Sequence, residues 1–237
     1  MTKKLADDLK VISFDLDDTL WDGTEVLLRA EQAMLDWFAS HAPRVLTLSP
    51  QELRDAKLEF AQKHKDIAHR MSTLRMWFLK ELMAQFDYAD HMAEACFEAF
   101  YQTRLDVRVF EGVEDTLASL SQHFSLVAIT NGNADVYATP LGKYFEFALA
   151  AEEFERPKPH PDMFEEMLNR INVRPDQVLH VGDHPVHDVQ GAYDVGMKVC
   201  WVNANNKEWK GVFKPHMSVS HVRELNALAT ATELRHV

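Results

Sequence analysis

Three carboxylates stand directly behind a short apolar run near the start of the chain. The run Val11-Ile12-Ser13-Phe14 is typical of a buried strand, and Asp15, Asp17 and Asp18 occupy three of the next four positions. Alternation along an extended chain predicts that Asp15 and Asp17 point to the same side. Because so many anions repel one another in a cleft of low dielectric constant, a cation is expected among them. Mg²⁺, which prefers oxygen ligands, is the natural counter-charge.

Two later apolar runs end in further groups of useful chemistry. The first ends at Thr130 and Asn131, the second leads to Asp183, and Lys158 lies in a loop whose prolines restrict its path. In a parallel sheet, functional groups gather at the carboxyl ends of the strands. Carboxylates for a metal, a hydroxyl and amides for phosphate oxygens, and one ammonium group favour phosphoryl transfer. The sequence has no GxxxxGK[ST] loop, so a P-loop nucleotide triphosphatase is not supported.

The elements that must position these groups are short strands alternating with helices. Runs typical of buried strands lie at 11–14, 126–129, 147–150, 178–181 and 199–202, and helical patterns lie near 113–122, 135–144, 162–171 and 189–194. The tail from Val219 is predicted to add a small strand and a closing helix. This alternation predicts βα units, and therefore a Rossmann-like parallel sheet with helices on both faces.

An all-helical insertion is predicted directly after the first strand. Between Trp21 and about Arg108, apolar residues recur at helical spacing without strand-like alternation. Ser49-Pro50-Gln51-Glu52 predicts a helix start with a capping box. The predicted fold is therefore α/β, with a catalytic core formed by residues 1–20 and 109–237 and a helical cap formed by residues 21–108.

Composition limits the classes of function. With 46% hydrophobic and 26% charged residues among 237, the chain is typical of a globular protein, and its net charge of −12 argues against nucleic acid and anionic membranes as partners. Cys96 and Cys200 fall in different predicted domains, which disfavours a disulfide and fits a reducing cytoplasm. The chain shows no apolar signal segment and no run long enough to span a bilayer. We therefore expect a cytoplasmic protein, either a monomer or a homodimer.

The combined motifs resemble those of a known superfamily. Asp15-x-Asp17-x-Thr19, Thr130-Asn131, Lys158-Pro159 and Gly182-Asp183-x₄-Asp188 are similar, in this order and spacing, to the four motifs of the haloacid dehalogenase-like hydrolases. The helical insertion falls where that superfamily carries its helical cap. The stretches FDLDDTL, AITNGNA, YFEF and LHVGD most resemble bacterial phosphatases acting on flavin mononucleotide and on 5-amino-6-(5-phospho-D-ribitylamino)uracil. The resemblance implies a Mg²⁺-dependent phosphomonoesterase acting on a small phosphorylated metabolite.

The same resemblance implies roles for the acidic residues. Asp15 would be the nucleophile and form an aspartyl-phosphate, which divides one difficult displacement into two easier ones. Asp17 would protonate the leaving alkoxide and then deprotonate the attacking water. Mg²⁺ would be held by a carboxylate oxygen of Asp15, the backbone carbonyl of Asp17 and a carboxylate oxygen of Asp183.

The resemblance also implies the groups that bind phosphate. Thr130, the Asn131 amide and Lys158 would contact its oxygens, with Thr130 and Lys158 counted among the catalytic residues. Asp188 would support the site from outside the ligand shell. His184-Pro185, directly after Asp183, makes a bulkier loop than the resemblance implies.

Several alternatives stay open at this point. A phosphomutase or sugar-phosphate phosphatase would use the same aspartyl-phosphate, a haloacid dehalogenase would leave Asp17 without a purpose, and a non-catalytic flavin-binding module would not need the reactive residues. His184 and His187 suggest a transition-metal site, although histidines of a surface loop explain them more simply. Asp22 is a weaker candidate for contacting the substrate or the cap. Candidate substrate contacts in the helical insertion, which ordinary amphipathic helices explain equally well, are His64, His69, Arg70, Arg75 and Trp77.

Overall fold

A six-stranded parallel sheet organises the larger part of the chain. The computed structural model describes residue 5 and residues 8–233. The strands are β1 (Val11–Phe14), β2 (Ser125–Thr130), β3 (Phe147–Ala150), β4 (Val178–Gly182), β5 (Lys198–Val202) and β6 (Met217–Val219), in the order β3-β2-β1-β4-β5-β6. The predicted α/β class and parallel sheet are confirmed, because every neighbouring pair is parallel.

Strand β1 lies at the centre and pairs with both β2 and β4. Val11 lies opposite Ser125 on one side and Val178 on the other. The strand order runs outward from β1 in one direction to β3 and in the other, through β4, to β6. The chain therefore reverses its winding between β1 and β4, and ligands of such sheets bind in the crevice at the carboxyl ends of these strands.

The sheet is covered by packed apolar side chains. All four residues of β1 are buried, as expected for a parallel strand with both faces covered. Met163, Phe164 and Met167 of one helix pack in a cluster with Val127 and Val199 of the sheet. The helices of this part are α5 (Val113–Leu120), α6 (Asp162–Ile171), α7 (Gly191–Asp194) and α8 (Asn226–Glu233).

One local prediction is wrong, and another is confirmed with a shorter helix. The helix predicted over 135–144 is replaced by two 3₁₀ turns, Val136–Ala138 and Gly142–Tyr144. Between them Thr139 is extended, because the ring of Pro140 disfavours helical backbone at the residue before it. The helix predicted near 189–194 is α7, and a π-helical segment, Pro185–Gln190, leads into it.

The inserted segment is helical throughout its long elements, as predicted. They are α1 (Gly23–His41), α2 (Pro50–Lys63), α3 (Met71–Gln85) and α4 (Met92–Leu105). The predicted capping box of α2 is confirmed, since Glu52 N donates to Ser49 Oγ and Ser49 N donates to Glu52 Oε2. These helices enclose their own apolar cluster, which includes Phe38, Leu79 and Phe100.

The chain divides into two compact units. One comprises Met1–Gly23 with Arg108–Val237, and the other, hereafter the helical unit, comprises Thr24–Val107. The assignment of these parts as a catalytic core and a cap, with the limits given above, stays a prediction. Within the first unit, the segments before and after the insertion meet: Trp21 bridges Val109 in antiparallel fashion, and Phe110 N donates to Leu20 O at 3.0 Å. No helix among the described residues combines the length and apolar character needed to cross a membrane.

Candidate active site

The carboxyl ends of three adjacent strands bring the predicted groups together. Asp15 follows β1, Thr130 ends β2 and Asp183 follows β4. The backbone N–H of Asp15 donates to Val181 O at 2.9 Å, so the sheet ladder holds the chain in place up to the carboxylate. These side chains therefore lie at the point where the sheet reverses its winding.

Lys158 is the buried cation of this edge. Its side chain is 1% exposed, and its Nζ donates to Asp15 Oδ1 at 2.7 Å, to Asp188 Oδ1 at 2.6 Å and to Ile129 O at 2.6 Å. These three acceptors use all three ammonium protons. Lys158 is thereby fixed between two carboxylates, and its direction is set by the end of β2.

Asn131 holds the loop that carries this lysine. Its Oδ1 accepts from Lys158 N and its Nδ2 donates to Lys158 O, both at 2.9 Å. Thr130, which is buried, accepts from Gly132 N at its Oγ1. The Asn131 side chain thus positions Lys158, and a phosphate contact from this residue would come from its backbone amide.

Burial and their mutual charges shift the pKa values of Asp15, Asp188 and Lys158. Burial raises the pKa of Asp15 well above its ordinary value, and this exceeds the opposing attraction of Lys158. Burial also acts to raise the pKa of Asp188, but Lys158 and His180 outweigh it and lower that pKa. Burial alone would lower the pKa of Lys158, yet the two carboxylates raise it. Lys158 therefore stays charged, and its single positive charge balances only one of the two carboxylates that it contacts.

A third carboxylate adds to this excess of negative charge. Burial and the neighbouring charges of Asp188 and Asp18 raise the pKa of Asp183 to about 7. Carboxylate oxygens of Asp15, Asp183 and Asp188 all lie within 4.8 Å of one another. Hard oxygen donors with surplus charge fit a divalent cation such as Mg²⁺. Asp15 and Asp183 belong to the predicted metal set, whereas Asp188, predicted to act from outside it, lies in the cluster itself.

Asp17 occupies a turn rather than a strand. Because β1 ends at Phe14, the alternation argument does not extend to Asp17, whose Oδ1 accepts from Trp21 Nε1 at 2.8 Å. Gly23 is required nearby, since a Cβ there would lie 2.8 Å from Asp17 Cβ. Asp18 has a positive φ of 60° and its Oδ1 accepts from Gly23 N, so it shapes the same turn.

Behind Asp183, the π-helical segment turns tightly around Asp188. Asp188 Oδ2 accepts from His184 N at 3.0 Å, and a Cβ on Gly182 would lie 2.4 Å from Asp188 Cγ. His184 Nδ1 accepts from the backbone N–H groups of Val186 and His187, and the two imidazole rings stack at 3.8 Å. These histidines therefore hold the local turn.

Comparison with known proteins decides the family. A family model described as haloacid dehalogenase-like hydrolase matches residues 9–196. The chain belongs to the haloacid dehalogenase-like hydrolase family. The predicted resemblance to this family is confirmed.

Relatives of this haloacid dehalogenase-like hydrolase include enzymes named as phosphatases. The chain is 32% identical over 228 residues to 5-amino-6-(5-phospho-D-ribitylamino)uracil phosphatase YigB of Escherichia coli (strain K12), covering 93% of this chain and 96% of the relative. It is 28% identical over 200 residues to glyceraldehyde 3-phosphate phosphatase of Pyrococcus furiosus, covering 81% of this chain and 80% of the relative. These relatives identify the chain as a phosphatase of the family.

A solved structure of a protein named as a dehalogenase is also similar. The crystal structure of 2-haloacid dehalogenase from Pseudomonas syringae pv. Tomato DC3000 is 35% identical, with a TM-score of 0.88 over 94% of this chain and 98% of that one. This structural neighbour is named as a dehalogenase and not as a phosphatase.

Three buried residues of the site region, two of them polar, escaped the prediction from sequence. Ser13 Oγ lies 2.8 Å from His180 Nδ1, and His180 Nε2 lies 3.4 Å from Asp188 Oδ1. Burial lowers the pKa of His180 and outweighs the opposing contact with Asp188. The available signal was a polar residue inside each of two otherwise apolar strand runs. Trp201 was missed as well; its indole Nε1 donates to Asp183 O at 2.9 Å.

Three of the five candidate substrate contacts of the helical unit, His64, Arg75 and Trp77, pack against one another or against its core. The His64 ring lies 4.4 Å from that of Phe60 and 5.6 Å from that of Trp77, whose side chain is partly exposed. The Arg75 guanidinium lies 3.6 Å from the centre of the Phe100 ring. These contacts fit structural roles in the helical unit.

The arrangement beside β1 is suited to nucleophilic chemistry on an anion. Asp15 presents a buried carboxylate, and the ammonium of Lys158 contacts that carboxylate directly. A positive charge at this position stabilises both the nucleophile and negative charge on a transferring group. The nearby Asp17 supplies a partly exposed carboxyl group of the kind used for proton transfer.

Proposed function

We propose that this chain is a Mg²⁺-dependent phosphomonoesterase that hydrolyses a small phosphorylated metabolite through an aspartyl-phosphate at Asp15. The observation that carries the proposal is the contact of Lys158 with Asp15 and Asp188, with Asp183 in the same carboxylate cluster. This arrangement combines a nucleophile, a fixed cation and a set of hard oxygen ligands at one strand edge.

The reaction has two balanced steps. A carboxylate oxygen of Asp15 attacks phosphorus while the ester P–O bond breaks, and Asp17 donates its proton to the departing alkoxide. Asp17 then takes a proton from water as the water oxygen attacks the aspartyl-phosphate. The second step releases inorganic phosphate and restores Asp15. Thr130 and the Asn131 amide bind phosphate oxygens in both steps. Lys158 binds them by exchanging one of its three present acceptors, Asp15, Asp188 or Ile129 O, for a phosphate oxygen.

The metal site would use Asp15, the backbone carbonyl of Asp17 and Asp183, with Asp188 beside them. When bound, Mg²⁺ neutralises charge on the phosphoryl group and on the carboxylates. The surplus of carboxylates over the single buried lysine in this cluster supports a cation there.

We propose that the substrate is 5-amino-6-(5-phospho-D-ribitylamino)uracil or flavin mononucleotide. The enzyme would then act in riboflavin metabolism in the cytoplasm. Support comes from the relative named for the first compound, which is similar over 93% of this chain. A sugar-phosphate phosphatase is the nearest alternative, because another relative is named for glyceraldehyde 3-phosphate. A phosphomutase would use the same intermediate but return an isomer, and a flavin-binding module would bind without turnover.

A haloacid dehalogenase is the second candidate, favoured by the 35% identical structure of a protein named 2-haloacid dehalogenase. Halide is a leaving group that needs no protonation, so Asp17 would have no task in the first step. Release of halide from a 2-haloacid in the presence of a chelator would favour this candidate over the phosphatase.

The deciding experiment is a phosphatase screen with purified protein. It compares the two flavin-pathway compounds with sugar phosphates and nucleotides, measuring inorganic phosphate with Mg²⁺ and with EDTA, and it examines organic products for isomers. We expect Mg²⁺-dependent phosphate release with a preference for the flavin-pathway compounds. A uniformly weak profile would reject that substrate class and leave the chemistry standing.

Asp15→Asn tests the nucleophile. We expect phosphate release to disappear, because a neutral amide does not attack phosphorus. Asp176→Asn is the matched control, since Asp176 is exposed, lies before the amino end of β4 and pairs with its sequence neighbour Arg174. Activity retained in Asp15→Asn, with mass spectrometry excluding deamidation and contamination excluded, would remove Asp15 from its assigned role.

A further inference from the structure

Ser13 and His180 form a buried polar pair inside the sheet. They are register partners across β1 and β4, and their exposures are 0% and 1%. Polar groups placed at such positions cost free energy unless they are hydrogen-bonded. The two polar contacts of the His180 ring are therefore favourable only if each joins a donor to an acceptor.

The neighbours of His180 determine its tautomer. Asp188 Oδ1 already accepts from Lys158 and, as a carboxylate, has no proton to donate. The contact between His180 Nε2 and Asp188 Oδ1 is favourable only when Nε2 carries the proton. In a neutral imidazole, Nδ1 is then an acceptor, and the hydroxyl of Ser13 is its donor.

The pair therefore continues the ion-pair network by two residues. Ser13 donates to His180, His180 donates to Asp188, and Lys158 donates both to Asp188 and to Asp15. The ring of Phe164 packs on His180 edge-on, with 5.2 Å between ring centres. The imidazole is thus held by two polar contacts and one aromatic contact.

We propose that His180, oriented by Ser13, is a positioning residue for phosphoryl transfer: its Nε2–H fixes the Asp188 carboxylate that holds Lys158 against Asp15. This inference rests on the proposed function of the site. His180 touches neither the substrate nor the reacting atoms, and it acts through Asp188. A second donor on Oδ1 restricts rotation of that carboxylate, and so restricts the position of the shared ammonium group.

The tautomer of His180 can be measured directly, without an activity assay. In protein labelled with ¹⁵N-histidine, long-range ¹H–¹⁵N correlation spectra near neutral pH distinguish the two neutral tautomers from the imidazolium. We expect the Nε2–H tautomer for His180, assigned by its loss in His180→Gln. The Nδ1–H tautomer or an imidazolium would overturn the proposal, because the donor to Asp188 or the role of Ser13 would then be wrong.

Kinetics separates positioning from packing. Removing a group that orients the residues of a metal site typically costs about 10- to 100-fold, so we expect His180→Leu to lower kcat by that factor. The loss should fall on kcat with KM changed by less than about threefold, as for an interaction made only in the transition state. His180→Gln, whose amide N–H can donate to Asp188, should recover most of the activity.

Two further variants keep the test decisive. Cys200→Ala is the control for a small buried defect in the sheet, because Cys200 is fully buried in β5 and lies outside the hydrogen-bonded network. Ser13→Ala keeps the imidazole and removes only its donor, and serves if His180→Leu does not fold. Equal losses in His180→Leu, His180→Gln and Cys200→Ala, or full activity in both Ser13→Ala and His180→Leu, would refute the positioning role. Wild-type protein without phosphatase activity would instead refute the proposed function, whatever the tautomer.

Discussion

Replacing Lys158 by methionine tests the electrostatic description of the site most directly. The substitution keeps an unbranched side chain of similar length and removes the ammonium group that Asp15 and Asp188 share. Both carboxylates stay in the protein interior, where an unpaired charge costs far more than in water.

The expected loss follows from the burial of the pair. The Lys158 side chain is 1% exposed, and those of Asp15 and Asp188 are 12% and 2% exposed. Removing one partner of a buried ion pair typically costs about 3–5 kcal/mol, so we expect the free energy of unfolding of Lys158→Met to fall by that amount in metal-free buffer near neutral pH.

Lys143→Met is the matched control. Its ion pair with Glu114 has nearly the same length, 2.8 Å, but the lysine side chain is 61% exposed. Exposed pairs of this kind contribute little, because water and salt screen them, and we expect no measurable change.

The assay is urea unfolding in EDTA, with hydrogen exchange of the β1 and β4 amides to report the sheet separately from the helical unit. The double variant Lys158→Met with Asp188→Asn should be more stable than Lys158→Met alone, because it removes an orphaned buried charge. If the description is right, Lys158→Met does not match Lys143→Met in stability, and the double variant is not less stable than the single one. Either contrary result would show that Lys158 does not stabilise two buried carboxylates through its charge.

Three further outcomes are expected elsewhere in the chain. Gly182→Ala should destabilise the protein by about 1–3 kcal/mol and lower phosphatase activity, because its Cβ would overlap the side chain of Asp188; calorimetry and the phosphate assay measure both. Ser49→Ala should cost about 1 kcal/mol through the lost helix cap, seen by urea unfolding, with phosphate release unchanged. Cys96 and Cys200 should resist a thiol reagent at pH 8 in native protein and react fully in urea: burial raises the pKa of Cys96 to about 12 and also raises that of Cys200.

The first five strands were predictable because each depends on a local apolar run, whereas β6 (Met217–Val219) ends at Val219, where the tail strand was expected to begin. The predicted positions of β1 and β3 match the structure, and β2, β4 and β5 differ only by a residue at one or both ends. The segment over 135–144 failed for an equally local reason, since apolar spacing there was weighed above the conformational limit that Pro140 sets on Thr139.

The candidate site was less predictable, because its details depend on contacts between distant segments. Lys158 and Asp15 are separated by 143 positions, and nothing in either neighbourhood states that they touch. A lone serine or histidine in a strand run is usually a packing detail, so Ser13 and His180 attracted no attention until their register placed them side by side. The tighter involvement of Asp188 has the same cause.

The antiparallel bridge between Trp21 and Val109 suits the helical unit to replacement as a module. The backbone leaves the sheet unit and returns to it at two points that already face each other, within the short spacing of a paired strand. We therefore expect that residues 24–107 can be replaced by a tight turn, or by a foreign helical hairpin, without changing the order of the strands. Chimaeras made at this junction would combine the helical unit of one protein with the catalytic residues of another.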